Sequence, residues 1–195
     1  MEKYTNMDPV KFLYHPMRLL DHREMEYKFC MQNIKLDDGL FLEFGVYNGA
    51  SINILSKLKP DKIFHGFDTF TGLPEDWDMG HKKIRAGSFS LERLPEVEKN
   101  VILHKGLFDK SITEWMKKYK EKISFINIDC DLYSSTKTVL EKLNSQIVKN
   151  TIIRFDDLLP SPLRPYPNWL QGEWKALCEW VEKFERQVTP VSRSW

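Results

Sequence analysis

The stretch Leu40-Phe-Leu-Glu-Phe-Gly-Val-Tyr-Asn-Gly-Ala-Ser51 constrains the fold more than any other part of the chain. A short apolar run ends in an acid, two glycines follow four residues apart, and small residues then open a helical pattern. A strand, a tight glycine turn and a helix N-terminus in that order make a nucleotide cradle. Glycine at position 45 lets the backbone turn sharply and lets a ligand approach it, while the N–H groups of the following helix favour polar or anionic ligand groups. Short, nearly all-apolar runs recur at 62–67, 100–104, 123–128 and 151–155, separated by helical patterns near 50–58, 90–99, 109–120 and 133–148. Such strands are buried on both faces, so the pattern predicts an α/β fold with a doubly wound, mostly parallel, Rossmann-like sheet covered by helices on both sides.

Upstream, Phe12, Leu13, Leu19, Leu20, Met25, Phe29 and Ile34 recur at mostly helical spacing, which predicts one or two leading helices. Residues 69–89 read as a long polar and aromatic connection. Pro160-Ser-Pro-Leu-Arg-Pro-Tyr-Pro167 is excluded from helices and central strands, so it forms a loop beside the end of the fifth strand. A last helix runs from near Gly172 to Phe184, and 187–195 reads as one more strand, against which Pro190 counts.

At 195 residues the chain suits a single domain spanning 1–195, with residues 1–36 as a helical extension and 37–195 as the core. Lys+Arg 29 against Asp+Glu 28 leaves a formal charge of +1, so no global field points to nucleic acid or an anionic membrane. The expected partner is a small molecule. The N-terminus lacks an apolar h-region and no run approaches the roughly 20 residues of a membrane span. Cys30, Cys130 and Cys178 form no pair pattern, so a cytoplasmic location is expected.

Acidic residues gather at strand ends. Asp68 closes the second strand, where its carboxylate can accept both ribose hydroxyls of an adenosine, or else cap the following turn. Asn127-Ile-Asp-Cys-Asp131 ends the fourth strand and Asp156-Asp157 the fifth. Four carboxylates at neighbouring strand ends repel unless water, protons or a cation compensates them. Oxygen-only ligands favour Mg²⁺, Mn²⁺ or Ca²⁺; the alternative is that Asp131 and Asp157 cap the next segments and one carboxylate acts alone.

The spacing Glu43-x-Gly45-x-x-x-Gly49 differs from the G-x-G-x-x-G dinucleotide fingerprint and resembles the first motif of class I S-adenosylmethionine-dependent methyltransferases. Together with Gly66-Phe-Asp-Thr-Phe-Thr-Gly-Leu-Pro74, Ile128-Asp-Cys-Asp-Leu-Tyr-Ser-Ser-Thr136 and Phe155-Asp-Asp-Leu158, it resembles the macrocin O-methyltransferase family over about residues 40–186. Members of that family methylate sugar hydroxyls. The resemblance implies that Glu43, Gly45 and Gly49, with Tyr47, Asn48 and Ser51 of the same turn, border the methionine part of the cofactor. It likewise implies that Asp68 holds the ribose, that Ser88 and Phe89 lie by the adenine, and that Asp129, Asp156 and Asp157 bind Mg²⁺ or Mn²⁺. Asp129 is then cofactor neighbour, metal ligand and general base at once, with Asp131 close enough to exchange roles with it. The implied acceptor is a hydroxylated small molecule, a sugar or glycan precursor. Relative to the macrolide enzymes the N-terminal stretch is short, and a final strand pair completing a seven-stranded sheet is expected where the chain stops at Trp195. That leads one to expect a smaller sheet or a truncated chain.

Rival readings are a metal-independent methyltransferase, a cofactor-binding accessory protein without catalysis, and a nicotinamide-dependent dehydrogenase, against which the glycine spacing argues. Among His15, His22, His65, His81 and His104, only His104 sits near a strand end. Trp174 and Trp180 suit packing of the last helix, whereas Tyr166 and Trp169 offer flat faces to a sugar. The aromatic N-terminal helices also offer a surface for a homodimer.

Overall fold

The computed structural model describes residues 7–161 and 165–194, and at its centre lies a parallel sheet of five strands. In chain order the strands are β1 (Arg18–Leu20), β2 (Leu40–Phe44), β3 (Phe64–Asp68), β4 (Trp77–Asp78), β5 (Lys83–Ile84), β6 (Val101–Lys105), β7 (Ile123–Ile128), β8 (Ile152–Phe155) and β9 (Ser192–Ser194). The helices are α1 (Pro9–Leu13), α2 (Arg23–Gln32), α3 (Ala50–Leu58), α4 (Phe108–Lys118), α5 (Tyr133–Lys142) and α6 (Glu173–Lys183). The central order is β6-β3-β2-β7-β8. Successive strands therefore step outward from β2 in one direction and from β7 in the other. In doubly wound sheets ligands bind where the order reverses, outside the carboxyl ends of the two central strands.

Period-two alternation divides the strands between two cores. Leu42, Phe44, Phe67, Ile126 and Ile128 pack with Ile112 and Trp115 of α4, Val139 and Leu140 of α5, and Leu177 and Trp180 of α6. Phe41, Phe64 and Phe125 face the other way, onto Tyr27, Cys30 and Met31 of α2 and Ile52 and Leu55 of α3. Phe44 and Phe67 stack across β2 and β3 with centroids 4.7 Å apart. Trp174 and Trp180 are buried as expected, the former edge-on to Phe12 of α1.

Four details differ from the sequence reading. No helix forms over 90–99: Pro95 lacks a backbone N–H, and Asn53 of α3 satisfies an extended backbone by donating to the Glu96 carbonyl and accepting from the Glu98 N–H. The helix predicted over 133–148 ends at Lys142, because Arg186 claims the carbonyl and carboxamide oxygens of Asn144. The leading segment contains the strand β1 between its two helices. The expected final strand exists as β9, but it pairs parallel with β1 instead of joining the central sheet. Residues 162–164 of the proline loop and the terminal Trp195 lie outside the described residues. Among the described residues no helix is long and apolar enough to cross a membrane.

Candidate active site

At the carboxyl ends of β2 and β7, Gly45 leaves the sheet with φ 89°, and its N–H donates to the Phe67 carbonyl at 3.0 Å. A Cβ there would run into the Asp129 carbonyl, so only glycine lets the two strand ends approach so closely. Tyr47 follows at φ 47°, and Gly49 at φ 83° forms the N-cap of α3. The Asp68 carboxylate accepts from the backbone N–H groups of Val46 (2.9 Å), Tyr47 (2.8 Å) and Phe70 (2.7 Å). Turn capping is therefore one of its roles. A carboxylate has about four acceptor sites, which leaves capacity for a ligand hydroxyl, and Asp68 also lines the cavity.

That cavity, of about 750 Å³, opens over the switch point and falls within the range of about 300 to 1,000 Å³ usual for ligand pockets. Gly45, Tyr47, Asn48, Ser51, Asp68, Phe89 and Asp129 line it. Tyr47 and Phe89 stand edge-to-face at its mouth, with centroids 5.5 Å apart, and both have positive φ. Backbone strain at two half-exposed aromatic residues concentrates at functional sites. Gly49 lies behind this wall. Ser88 contributes its carbonyl to the Leu73 N–H and is likewise not part of the lining.

Glu43 lies beneath the cavity floor, fully buried. Its carboxyl accepts from Ser51 Oγ and Asn127 Nδ2, each at 2.9 Å. Burial, and then the charge of Asp129, pushes its pKa up to about 8. Glu43 thus reaches the cavity through Ser51.

The acidic strand ends converge as the sequence predicts. One oxygen each from Asp129, Asp156 and Asp157 lie within 4.8 Å of one another. Oxygens around one hard cation stand about 3 to 5 Å apart, given metal–oxygen distances of about 2.0 to 2.6 Å, so the set fits Mg²⁺, Mn²⁺ or Ca²⁺ in spacing and in donor chemistry. Burial, and then Asp156, raises the pKa of Asp129 to about 7. Asp131, at φ 63°, hydrogen-bonds Asp157, and burial with the Asp157 charge holds its carboxyl well above the usual range. Asp129 therefore faces Asp156 while Asp131 faces Asp157.

Sequence reasoning missed four residues here. Arg23, at the start of α2, places Nη2 2.7 Å from Asp156 and Nη1 3.9 Å from Asp129. Arg154 in β8 donates to the other oxygen of Asp156 at 2.8 Å, and Glu26 of α2 binds Arg154 at 2.9 Å. Glu173, at the start of α6, is fully buried and accepts from the Asp157 N–H, and burial, followed by the Asp157 charge, holds its carboxyl well above the usual carboxylate range. A charge within the apolar run Ile152-Ile-Arg-Phe155 was the available signal, since a buried cation requires partners.

The far side of the cavity is built by Trp77, Met79, His81 and Ile84 around the β4–β5 hairpin, with Ser134 and Ser135 of α5. Tyr166 and Trp169 do not present faces to it, contrary to expectation. Tyr166 is buried against Trp77, whose Nε1 donates to its hydroxyl at 3.0 Å, and Trp169 packs on Trp174. His104 pairs with buried His65, Nε2 to Nδ1 at 3.0 Å, and neither histidine lines the cavity. Cys130 is buried, and burial followed by the Glu173 charge raises its pKa, so it is no nucleophile.

No curated protein matches the chain at significance. Solved structures do: CalS11, a calicheamicin methyltransferase, aligns at TM-score 0.68 and 22% identity over 85% of this chain and 73% of that one. An apo structure of CalS11, described as a TDP-rhamnose 3'-O-methyltransferase, aligns at 0.59 and 19% over the same shares. The O-methyltransferase NovP aligns at 0.57 and 18% over 88% of this chain and 76% of that one. At these identities the likeness establishes the fold. The family profile described as "Methyltransferase domain" matches residues 42–158, from β2 through the acid pair after β8, and the chain belongs to that family.

Proposed function

We propose that the chain is an S-adenosylmethionine-dependent O-methyltransferase of the macrocin type, acting on a hydroxyl of a sugar or glycan precursor with the help of a divalent cation. The observation that carries this reading is the position of Asp129. Its carbonyl lies under the Gly45 turn while its carboxyl enters the acid cluster, so one residue joins the cofactor end to the acceptor end. Without a cation, a carboxyl raised to about 7 by burial and by Asp156 is matched to proton abstraction near neutral pH; a bound cation would lower it. CalS11 is a TDP-rhamnose 3'-O-methyltransferase of calicheamicin biosynthesis, which supports a carbohydrate acceptor here.

In this reading Ser51 and the turn from Gly45 to Gly49 hold the methionine part of the cofactor, Asp68 the ribose, and Tyr47 and Phe89 flank the adenine. Asp129 takes the proton from the acceptor hydroxyl as its oxygen bonds to the methyl carbon and the carbon–sulfur bond breaks. The products are the methyl ether and S-adenosylhomocysteine, and the proton leaves Asp129 to solvent. Aligning oxygen, methyl carbon and sulfur is the larger part of the task, and positioning of this kind supplies several kcal/mol of barrier lowering. Asp129, Asp156 and Asp157 would hold the cation, which when bound lowers the pKa of the hydroxyl and orients it. The sulfonium loses its charge as the methyl moves, which favours a site closed to water.

Arg23 favours a second reading. Its guanidinium already supplies positive charge to Asp156 and Asp129, the service a metal would provide, so metal-independent transfer through the same base is the alternative. Transfer of radiolabelled methyl from S-adenosylmethionine to a panel of free and nucleotide-linked sugars, with Mg²⁺ and with chelator, tests both. Labelled sugar product that disappears with chelator is expected, as is a loss of at least about a hundredfold in Asp129→Asn. Undiminished transfer in chelator selects the Arg23 reading, and cofactor binding without transfer to any acceptor refutes both.

A further inference from the structure

Arg154 is an anomaly in the central sheet. It occupies the third position of edge strand β8, yet its side chain is only 4% exposed, and three directions of its guanidinium are engaged. Nε donates to Glu26 of α2 at 2.9 Å, Nη1 to the carboxamide oxygen of Asn127 at 2.9 Å, and Nη2 to Asp156 at 2.8 Å, while the Tyr27 ring covers it with its centroid 4.8 Å away. Glu26 is itself held by β9, since Ser194 Oγ donates to it at 3.0 Å and Ser192 Oγ lies at 3.5 Å. Beyond Arg154, Asn127 donates to Glu43, and Glu43 accepts from Ser51 in the cavity wall. An unbroken chain of five hydrogen bonds therefore runs from Ser194 through Glu26, Arg154, Asn127 and Glu43 to Ser51.

We propose that Arg154 is a positioning residue for the reaction centre, oriented by Glu26, so that α2 and the β1–β9 pair form part of the working site. A guanidinium carries only donors. It forces Asn127 to turn its oxygen toward β8 and its amide toward Glu43, and that fixes the direction from which Glu43 holds Ser51. The same group locks the plane of Asp156 from behind. Arginine is suited to this because its fork is rigid and always charged, whereas lysine offers one compact charge that cannot meet three acceptors at these angles. Glu26 does not line the cavity, so its influence on a ligand passes through Arg154. The proposal rests on the cofactor assignment made above.

Calorimetric titration of S-adenosylhomocysteine into the full chain tests it, in the wild type, Glu26→Gln, Arg154→Lys and the exposed α2 control Glu24→Gln, each with a thermal melt. Glu26→Gln keeps the shape and one acceptor, and binding about tenfold weaker is expected, as for loss of one charge-assisted hydrogen bond. Arg154→Lys weakens binding at least as much, and Glu24→Gln leaves it unchanged. In Glu26→Gln/Ser51→Ala the loss is smaller than the product of the two single losses, because both variants break one chain. A purely structural role moves the melts while leaving affinity at temperatures where every variant is folded. Wild-type affinity in Glu26→Gln and Arg154→Lys, or losses that multiply independently, overturns the proposal and leaves the methyltransferase reading standing. A wild-type chain that binds no S-adenosylhomocysteine overturns both.

Discussion

Replacing Glu43 with glutamine should make the protein less sensitive to alkaline pH. The carboxyl is fully buried, with a pKa near 8, whereas in the unfolded chain it returns to the ordinary 4.5. Between those values the native state holds a proton that the unfolded state has released, so stability falls as pH rises through the window. Between about pH 5 and about pH 8 this group alone removes roughly 3 kcal/mol. Glutamine has no proton to lose, and its oxygen can keep the bond from Asn127 while its amide meets Ser51 Oγ as a donor, the reverse of the bond in which Ser51 donates to Glu43. The measurement is the melting temperature of wild type and Glu43→Gln in a common buffer series across that range. For a chain of this length the variant should gain about 6 to 12 °C on the wild type from the acid to the alkaline end. A difference that stays flat with pH, or that widens against the variant, would refute the assignment of a buried, protonated Glu43.

Other consequences follow from the same geometry. Gly45→Ala should cost about 3 kcal/mol or more in a denaturant titration, because a Cβ meets the Asp129 carbonyl and the φ of 89° strains any other residue. If transfer proceeds without a metal, its rate should rise with pH through about 7, as Asp129 loses its proton, and level off above it, whereas a bound cation lowers the Asp129 pKa and moves that limb below neutrality; a metal-free rate indifferent to pH there removes Asp129 as the base. Asp129→Asn should abolish that limb while still binding S-adenosylhomocysteine, as equilibrium dialysis can establish. Phe89→Ala should raise the Michaelis constant for S-adenosylmethionine about tenfold, the order of one base-stacking contact, with little change in melting temperature, since the ring is half-exposed.

The central sheet was legible because its strands are apolar on both faces, which leaves a continuous signal with a glycine or an acid at each carboxyl end. The glycine turn was legible for a local reason, since Gly45 and Gly49 lie four residues apart in one strand–turn–helix, and Asp68 stood out as the acid that closes the next strand. What escaped the sequence is long-range. Arg23 meets Asp156 across 133 residues and Glu26 meets Arg154 across 128, distances over which a single chain carries no pairing signal. The β1–β9 pair comprises three residues on each side, too short for alternation to declare itself. The segment 90–99 has helical periodicity, but the Asn53 carboxamide and Pro95 override it, a case of tertiary contacts defeating local preference. Tyr166 and Trp169 were misplaced for a related reason, since an aromatic residue beside a site serves as readily to pack the loop as to meet a ligand.

Methyl-transferase activity requires first that the glycine turn hold the cofactor, so the direct test is calorimetric titration of its product, S-adenosylhomocysteine, into the wild type and Asp68→Ala at neutral pH. The account predicts saturable binding at one site per chain, weakened at least about tenfold in an Asp68→Ala chain whose circular dichroism remains that of the folded protein. A folded wild-type chain that takes up no S-adenosylhomocysteine, or an Asp68→Ala chain that binds it as well as the wild type, would contradict it.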